Sequence, residues 1–271
     1  MSSMMHKYNF KGKCTVVTGG AGVLGLEFAK ILLECGASVA VLDLNVEHLE
    51  LFTRFRDRFL AVKTDVLDKS SVQNASEMVL AKYHKVDYLI NGAGGNSPNA
   101  STSSNTSFFD LPLDALKFVG DLNLLGTILP SQIFGKIMAN QKEGNILNIS
   151  SMNAFRPLTR IPAYSAAKAA VSNFTQWLAV HMAKEYSPNI RVNAIAPGFF
   201  LTEQNRYLLT DEKTGELTDR GRKIIDHTPM GRFGDPEDLF GAVLWLLSED
   251  SKFVTGIVLP IDGGFSAYSG V

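Results

Sequence analysis

The feature that most limits the fold of this chain is a repeated alternation. Short apolar runs are separated by longer segments with helical spacing, from near residue 13 to near residue 261. The short runs are Cys14–Thr18, Ser38–Leu42, Phe59–Lys63, Tyr88–Asn91, Asn145–Ile149, Arg191–Ile195 and Ile257–Pro260. Their length and composition suit strands. The longer segments, about Val23–Glu34, Val46–Arg58, Lys69–Tyr83, Asp114–Asn140, Ala163–Lys184 and Pro236–Ser248, suit helices. Such alternation implies α/β architecture with a mostly parallel, seven-stranded, doubly wound sheet. No repeat or low-complexity linker divides the 271 residues, so one domain over 1–271 is expected.

Two stretches break the alternation. Asn96–Ser107 is polar and rich in breakers, and about Phe199–Met230 is charged and mixed, with Gly215 and Gly221 inside it. Ligands of open α/β sheets sit beyond the carboxyl ends of the strands, and both stretches follow strands. Either is placed to cover a bound molecule. The second, at about 199–230, is expected to be a substrate-covering insertion.

The first strand runs into Gly19-Gly20-Ala21-Gly22-Val23-Leu24-Gly25, after which a helical pattern opens. Glycine allows a sharp turn and close backbone approach, and a helix N-terminus offers unpaired N–H groups to a pyrophosphate. Such a turn also occurs as an ordinary strand-to-helix connection. The second strand, however, ends at Asp43, where a carboxylate can accept hydrogen bonds from adenosine ribose hydroxyls. Together these read as a Rossmann dinucleotide-binding unit. Asp43 would repel a 2′-phosphate, and Leu44-Asn45 rather than a cation follows it, so NAD is expected over NADP.

Tyr164 and Lys168 stand four residues apart, on one face of the long helix that starts near Ala163. Free tyrosine titrates near pH 10, about three units too high for a base at neutral pH. A neighbouring ammonium and a cationic nicotinamide would each favour the phenolate, making Tyr164 a usable proton donor and acceptor. On an exposed helix the same pair would be no more than a solvated contact.

Composition removes other classes. Lys and Arg number 26 against 27 acidic residues, for a net charge of −1, so no basic surplus exists for a nucleic-acid backbone or an anionic membrane. Cys14 and Cys35, the two cysteines, have neither C-x-x-C spacing nor a His pair, so neither a disulfide framework nor a metal site is expected. The first residues lack an apolar run of signal-peptide length, and no stretch of about 18 apolar residues occurs, so a cytoplasmic location is expected.

From about Lys11 onward the ordered set Thr18-Gly19 through Gly25, Asp65-Val66, Asn91-Gly92-Ala93-Gly94, Asn123, Ser150-Ser151, Tyr164 with Lys168, Pro197-Gly198 and Asp262-Gly263-Gly264 resembles the short-chain dehydrogenase/reductase family. The resemblance implies hydride transfer between nicotinamide and a carbinol or carbonyl carbon. It makes Ser151 the partner of the substrate oxygen, with Ser150 as packing support, and Asn123 the holder of a water linking Lys168 to solvent. It implies cofactor contacts at Thr18, Gly19, Gly22, Val23, Leu24, Gly25, Asp65, Val66, Asn91, Ala93, Gly94, Pro197, Gly198 and Thr202, besides Asp43, Tyr164 and Lys168. Two positions depart from the pattern: Gly92 follows Asn91 where a second Asn is usual, and Val23 stands where a middle glycine is common.

Ser151–Phe155, Asn193–Arg206, His227–Gly234 and the tail from Gly264 resemble the D-mannonate oxidoreductase (fructuronate reductase) group of that family. A hexonate needs a cation for its carboxylate and amides for its hydroxyls, which Asn96, Asn153, Arg160, Gln204, Asn205 and Arg206 can supply beside Ser151. Other sugar-acid or polyol dehydrogenases, such as a gluconate 5-dehydrogenase, remain open, as do a 3-oxoacyl-carrier-protein reductase and a non-catalytic NAD-sensing protein. Phe174, Trp177, Leu178 and Met182 give the long helix a wide apolar face. A homo-oligomer is therefore expected, and the resemblance suggests a homotetramer.

Overall fold

Each apolar run pairs in parallel with its neighbours in one sheet. The computed structural model describes residues 7–47, 49–201, 209–211 and 214–270. Its strands are β1 (Cys14–Thr18), β2 (Ser38–Asp43), β3 (Phe59–Lys63), β4 (Tyr88–Asn91), β5 (Gly144–Ile149), β6 (Ile190–Pro197) and β7 (Val258–Ile261), in spatial order β3-β2-β1-β4-β5-β6-β7. Every pairing between these strands is parallel. After β3 the chain crosses to β4 on the other side of β1, so the strand order reverses there and leaves a crevice at the carboxyl ends.

Successive strand residues face opposite layers, and here both layers are apolar. Val17, Val39 and Val41 join Phe28, Leu32 and Phe240 in one core. Val16, Ala40 and Leu42 join Val72, Phe134 and Leu178 in the other. The first layer comes from α1 (Val23–Glu34) and α6 (Phe240–Leu247), the second from α2 (Lys69–Tyr83), α3 (Leu113–Gln141) and α4 (Pro162–Glu185). Among the described residues no helix is long and apolar enough to cross a membrane.

Two expected helices differ. In place of an α-helix over 46–58, Leu49–Phe55 forms a 3-10 helix. Its anchors Leu49, Phe52 and Phe55 recur every third residue, the period of a 3-10 turn, and all three pack into the first core. The segment 236–248 begins as a 3-10 helix, Pro236–Leu239, before α6. A short helix α5 (Asp219–Asp226) lies in the stretch after β6, started by Thr218 Oγ1 accepting the Gly221 N–H at 3.1 Å.

Candidate active site

A cleft of about 610 Å³ runs along the carboxyl ends of the central strands. At one end lie Asp43 and Asp65, in the middle the glycine turns after β1 and β4, and at the other end Ser151, Tyr164 and Lys168.

Backbone geometry makes the turn after β1 specific. Gly19 has φ +61°, and a Cβ there would sit 2.6 Å from Ala93 Cα. At Gly25 a Cβ would sit 2.4 Å from Gly19 O, so α1 seats directly on the turn only with glycine. Gly22 is the N-cap of α1 with extended backbone, and Val23 is its first residue. Tight approach in this turn therefore rests on Gly19 and Gly25, and Val23 disturbs none of it. Asp43 braces the same turn: its Oδ2 accepts the Ala21 N–H at 3.0 Å and its Oδ1 the Asn45 N–H at 3.1 Å.

Val66 closes on α3 at Gly126, where an added Cβ would lie 3.1 Å from Val66 Cγ2. Ala93 N–H donates to Thr18 Oγ1 at 3.3 Å, tying the turn after β4 to β1. Thr18 is fully buried behind the cleft wall rather than on it. Gly22, Val23, Leu24, Ala93, Gly94, Pro197 and Gly198 do line the cleft.

Asn91 does not face the cleft. Its Nδ2 donates to Ser131 Oγ at 2.9 Å and Asn148 Oδ1 at 2.8 Å, and Asn148 in turn donates to Thr175 Oγ1 at 2.9 Å. The side chain thus enters a buried polar chain joining β4, β5, α3 and α4, outside the cleft lining. Gly92 N–H donates to Thr18 O at 3.1 Å, a backbone role that a second Asn is not needed to fill.

Asn123 is completely buried. Its Oδ1 accepts the Gly95 N–H at 3.1 Å, and its Nδ2 donates to Gly95 O at 2.7 Å and Val119 O at 2.8 Å. A mid-helix amide thereby finds partners in its own helix and in the neighbouring turn. A Cβ on Gly94 would lie 2.7 Å from Asn123 Oδ1 and 3.2 Å from Lys168 Nζ, so that glycine leaves room for both.

Lys168 Nζ donates to Ile149 O at 2.8 Å and lies 5.5 Å from the centre of the Tyr164 ring. Burial disfavours the ammonium and pulls its pKa from 10.5 down to about 8. Burial likewise raises Tyr164 above its ordinary value, opposed by a hydrogen bond from Ser151. Ser151 itself caps the 3-10 turn Met152–Ala154 by accepting the Asn153 N–H at 3.3 Å. Ser150 turns the other way, 2.7 Å from Ser172 Oγ and donating to Lys168 O at 3.2 Å, which is a supporting position.

The expected substrate contacts divide. Asn153 is buried next to Ser151, and its Oδ1 has no hydrogen-bond partner among the described residues. Arg160 is exposed just before α4, and like Asn153 it lies outside the cleft lining. Asn96 is exposed and spends its Nδ2 on Ser101 Oγ at 2.9 Å, outside the cleft lining, so the structure does not bring it to the catalytic end. Thr202, Gln204, Asn205 and Arg206 lie outside the described residues. Two participants were missed by sequence reasoning, the Ala21 N–H that positions Asp43 and the Ile149 carbonyl that positions Lys168. Both are backbone groups, which leave no residue-type signal.

A family model described as enoyl-(acyl carrier protein) reductase matches residues 20–266. The chain belongs to the short-chain dehydrogenase/reductase family and is an oxidoreductase. An uncharacterised oxidoreductase of Haemophilus influenzae is 48% identical over 279 residues, covering 97% of this chain and 96% of that relative. A 2-dehydro-3-deoxy-D-gluconate 5-dehydrogenase of Dickeya dadantii is 34% identical over 268 residues, with 97% and 99% covered. A solved Haemophilus influenzae structure with bound NAD, described as a candidate D-mannonate oxidoreductase, superposes with a TM-score of 0.92 at 47% identity, covering 99% of this chain and 100% of that one.

Proposed function

We propose that this enzyme interconverts D-mannonate and D-fructuronate, with NAD as hydride carrier and Tyr164 as acid/base. The observation that carries the reading is the gathering of Ser151, Tyr164 and Lys168 at one end of a cleft whose other end carries Asp43. The glycine turn fits a dinucleotide, because its close packing on Ala93 and on the start of α1 brings the helix N-terminus, Gly22-Val23-Leu24, to the cleft wall. Gly19, Gly22, Val23, Leu24, Gly25, Ala93 and Gly94 would hold its phosphates and ribose, Asp43 its adenosine ribose, and Asp65 with Val66 its adenine. The carboxylate of Asp43 disfavours a 2′-phosphate.

Bound NAD takes or supplies the hydride. Ser151 Oγ–H donates to the substrate oxygen and holds it against Tyr164. Tyr164 Oη takes the proton from the carbinol during oxidation and returns it during reduction. Lys168, an ammonium below about pH 8, stabilises the phenolate and feeds the relay through a water held by Asn123. Ser151 and Tyr164 together stabilise charge developing on the carbonyl oxygen.

A hexonate substrate is supported by the sugar-acid relatives and by the polar groups near Ser151, with Asn153 and Arg160 as contacts. The stretch over 199–230 serves as the cover. Leu209 and Ile224 pack with Met152 and Phe265, which seats α5 on the segment following Ser151. A homotetramer is supported by the outward face of α4, where Trp177 and Val180 are exposed. On the same helix Leu178 and Met182 cover the sheet, with Phe174 packed against the same core.

The decisive experiment compares NADH oxidation with D-fructuronate, 5-ketogluconate and an acetoacetyl thioester. The highest kcat/KM is expected with fructuronate, and a clear preference for either of the others overturns the substrate.

A further inference from the structure

Two arginines from distant parts of the chain, Arg160 and Arg220, come together with no counter-charge among the described residues. Arg160 sits four residues before Tyr164, so at most about 14 Å of extended chain separates them. Arg220 lies in the first turn of α5. That helix is held over the segment after Ser151 by Ile224, which packs with Met152, Leu209 and Phe265, while Leu158 packs against the same cluster.

Three observations mark the pair. First, neither guanidinium has a hydrogen bond or ion pair among the described residues, although nearby arginines are engaged: Arg222 with Asp219 at 3.3 Å, Arg232 with Asp238, and Arg156 with Ser266 O at 3.2 Å. Second, Arg160 holds φ +79°, a left-handed conformation that costs a non-glycine residue free energy and that persists where surroundings enforce it. Third, both excursions from the βα alternation converge there. Thr102, in the polar stretch after β4, donates its N–H to Arg160 O at 2.9 Å, and α5 brings Arg220 from the stretch after β6. The two charges are close enough to act on each other: after burial, Arg160 is the cause that disfavours the Arg220 cation. Two like charges brought together without an acid are stabilised by an anion between them.

We propose that Arg160 and Arg220 form a two-pronged clamp for the carboxylate of a sugar-acid substrate. The clamp rests on the reading of this cleft as an oxidoreductase site, and it assigns Arg220 as a specificity-determining residue. A planar guanidinium fork suits a carboxylate bidentately, and two forks discriminate a hexonate from a neutral polyol of equal length.

The test uses Arg220→Gln, Arg160→Gln and Arg220→Lys in the full-length enzyme. KM and kcat are measured for D-mannonate, for other carboxylated alcohols and for mannitol, with NADH affinity measured by fluorescence. Either Gln variant is expected to raise KM for the acid between about tenfold and about a hundredfold, the loss of a charge-assisted hydrogen bond, with kcat and NADH affinity little changed. Arg220→Lys recovers part of the loss, and no variant changes KM for mannitol. If wild type oxidises mannonate and both Gln variants keep its KM, the clamp is wrong while the substrate stands. If mannonate is not oxidised but another carboxylated alcohol is, with KM raised in the variants, the substrate is wrong while the clamp stands. A wild-type preference for neutral alcohols overturns both.

Discussion

The Asp43 carboxylate reaches from the end of β2 to take the Ala21 N–H at 3.0 Å, so the residue proposed to select the cofactor also braces the turn proposed to cradle it. Asp43→Ala removes both functions. Wild type is expected to show a higher kcat/KM with NADH than with NADPH. In the variant the NADH value should fall about ten- to a hundredfold, the loss of a charged hydrogen-bonding partner. The NADPH value should fall less or rise. Steady-state kinetics with both nucleotides checks this, and an unchanged ratio excludes Asp43 as the selector.

Tyr164→Phe deletes one oxygen from the group proposed to move the proton. Turnover should fall by about 10²- to 10⁴-fold or more, the usual worth of a positioned acid/base. NADH affinity should stay within about threefold, since this hydroxyl is one of many groups expected to contact the cofactor. Substantial residual activity would sink the mechanism.

The tyrosine should also report its own ionisation. Burial raises Tyr164 above its ordinary value in the free protein. A cationic ring beside it favours phenolate, so oxidised NAD should move the titration to lower pH. The difference in tyrosinate absorbance near 295 nm between wild type and Tyr164→Phe, with and without NAD, measures this.

Lys168 makes a prediction for stability. Between about 8 and 10.5 the unfolded chain holds this proton more tightly than the folded one. The cost of burying the ammonium is therefore full below about 8 and is relieved as pH rises. Relative to Lys168→Met, wild type should gain about 2–3 kcal/mol in urea unfolding from pH 7.5 to pH 10. A difference independent of pH would mean the ammonium is better solvated than its surroundings imply.

Gly19→Ala places a methyl group against the Ala93 backbone at a positive φ, and backbone cannot step aside. A loss of about 2–4 kcal/mol is expected, combining left-handed strain with overpacking. Gly241→Ala is the contrast: α6 leaves open space there, and helix propensity should stabilise by up to about 1 kcal/mol. Urea midpoints of the two variants decide.

Trp177→Glu tests assembly. Its ring is exposed and stacks on His181 at 4.7 Å, a surface that association would bury. Wild type should sediment as a tetramer and the variant as a smaller species, with the fold intact by circular dichroism. Wild type sedimenting as a monomer would dispose of the assembly.

The strands, four of the main helices and the order of the motifs were legible in the sequence because they depend on local properties: apolar runs, glycine before a helix, and a four-residue Tyr–Lys spacing. Less legible was the direction in which a given polar side chain points. Asn91 looked like a cofactor contact, yet partners 40 and 57 residues away turn it into the core. Leu49–Phe55 read as an α-helix, since a third-residue spacing of anchors fits both periods until the core chooses one.

By itself, then, the amino-acid sequence determined the doubly wound architecture and the groups available to the site: Asp43, Ser151, Tyr164 and Lys168, the set proposed to carry hydride and proton transfer. Only the tertiary structure decided how they are held. Burial displaces the pKa values of Tyr164 and Lys168, the Ala21 amide and Ile149 carbonyl aim Asp43 and Lys168, and two excursions bring Arg160 and Arg220 together. Desolvation, backbone hydrogen bonds and like-charge proximity arise from packing among residues far apart along the chain, so no local pattern encodes them.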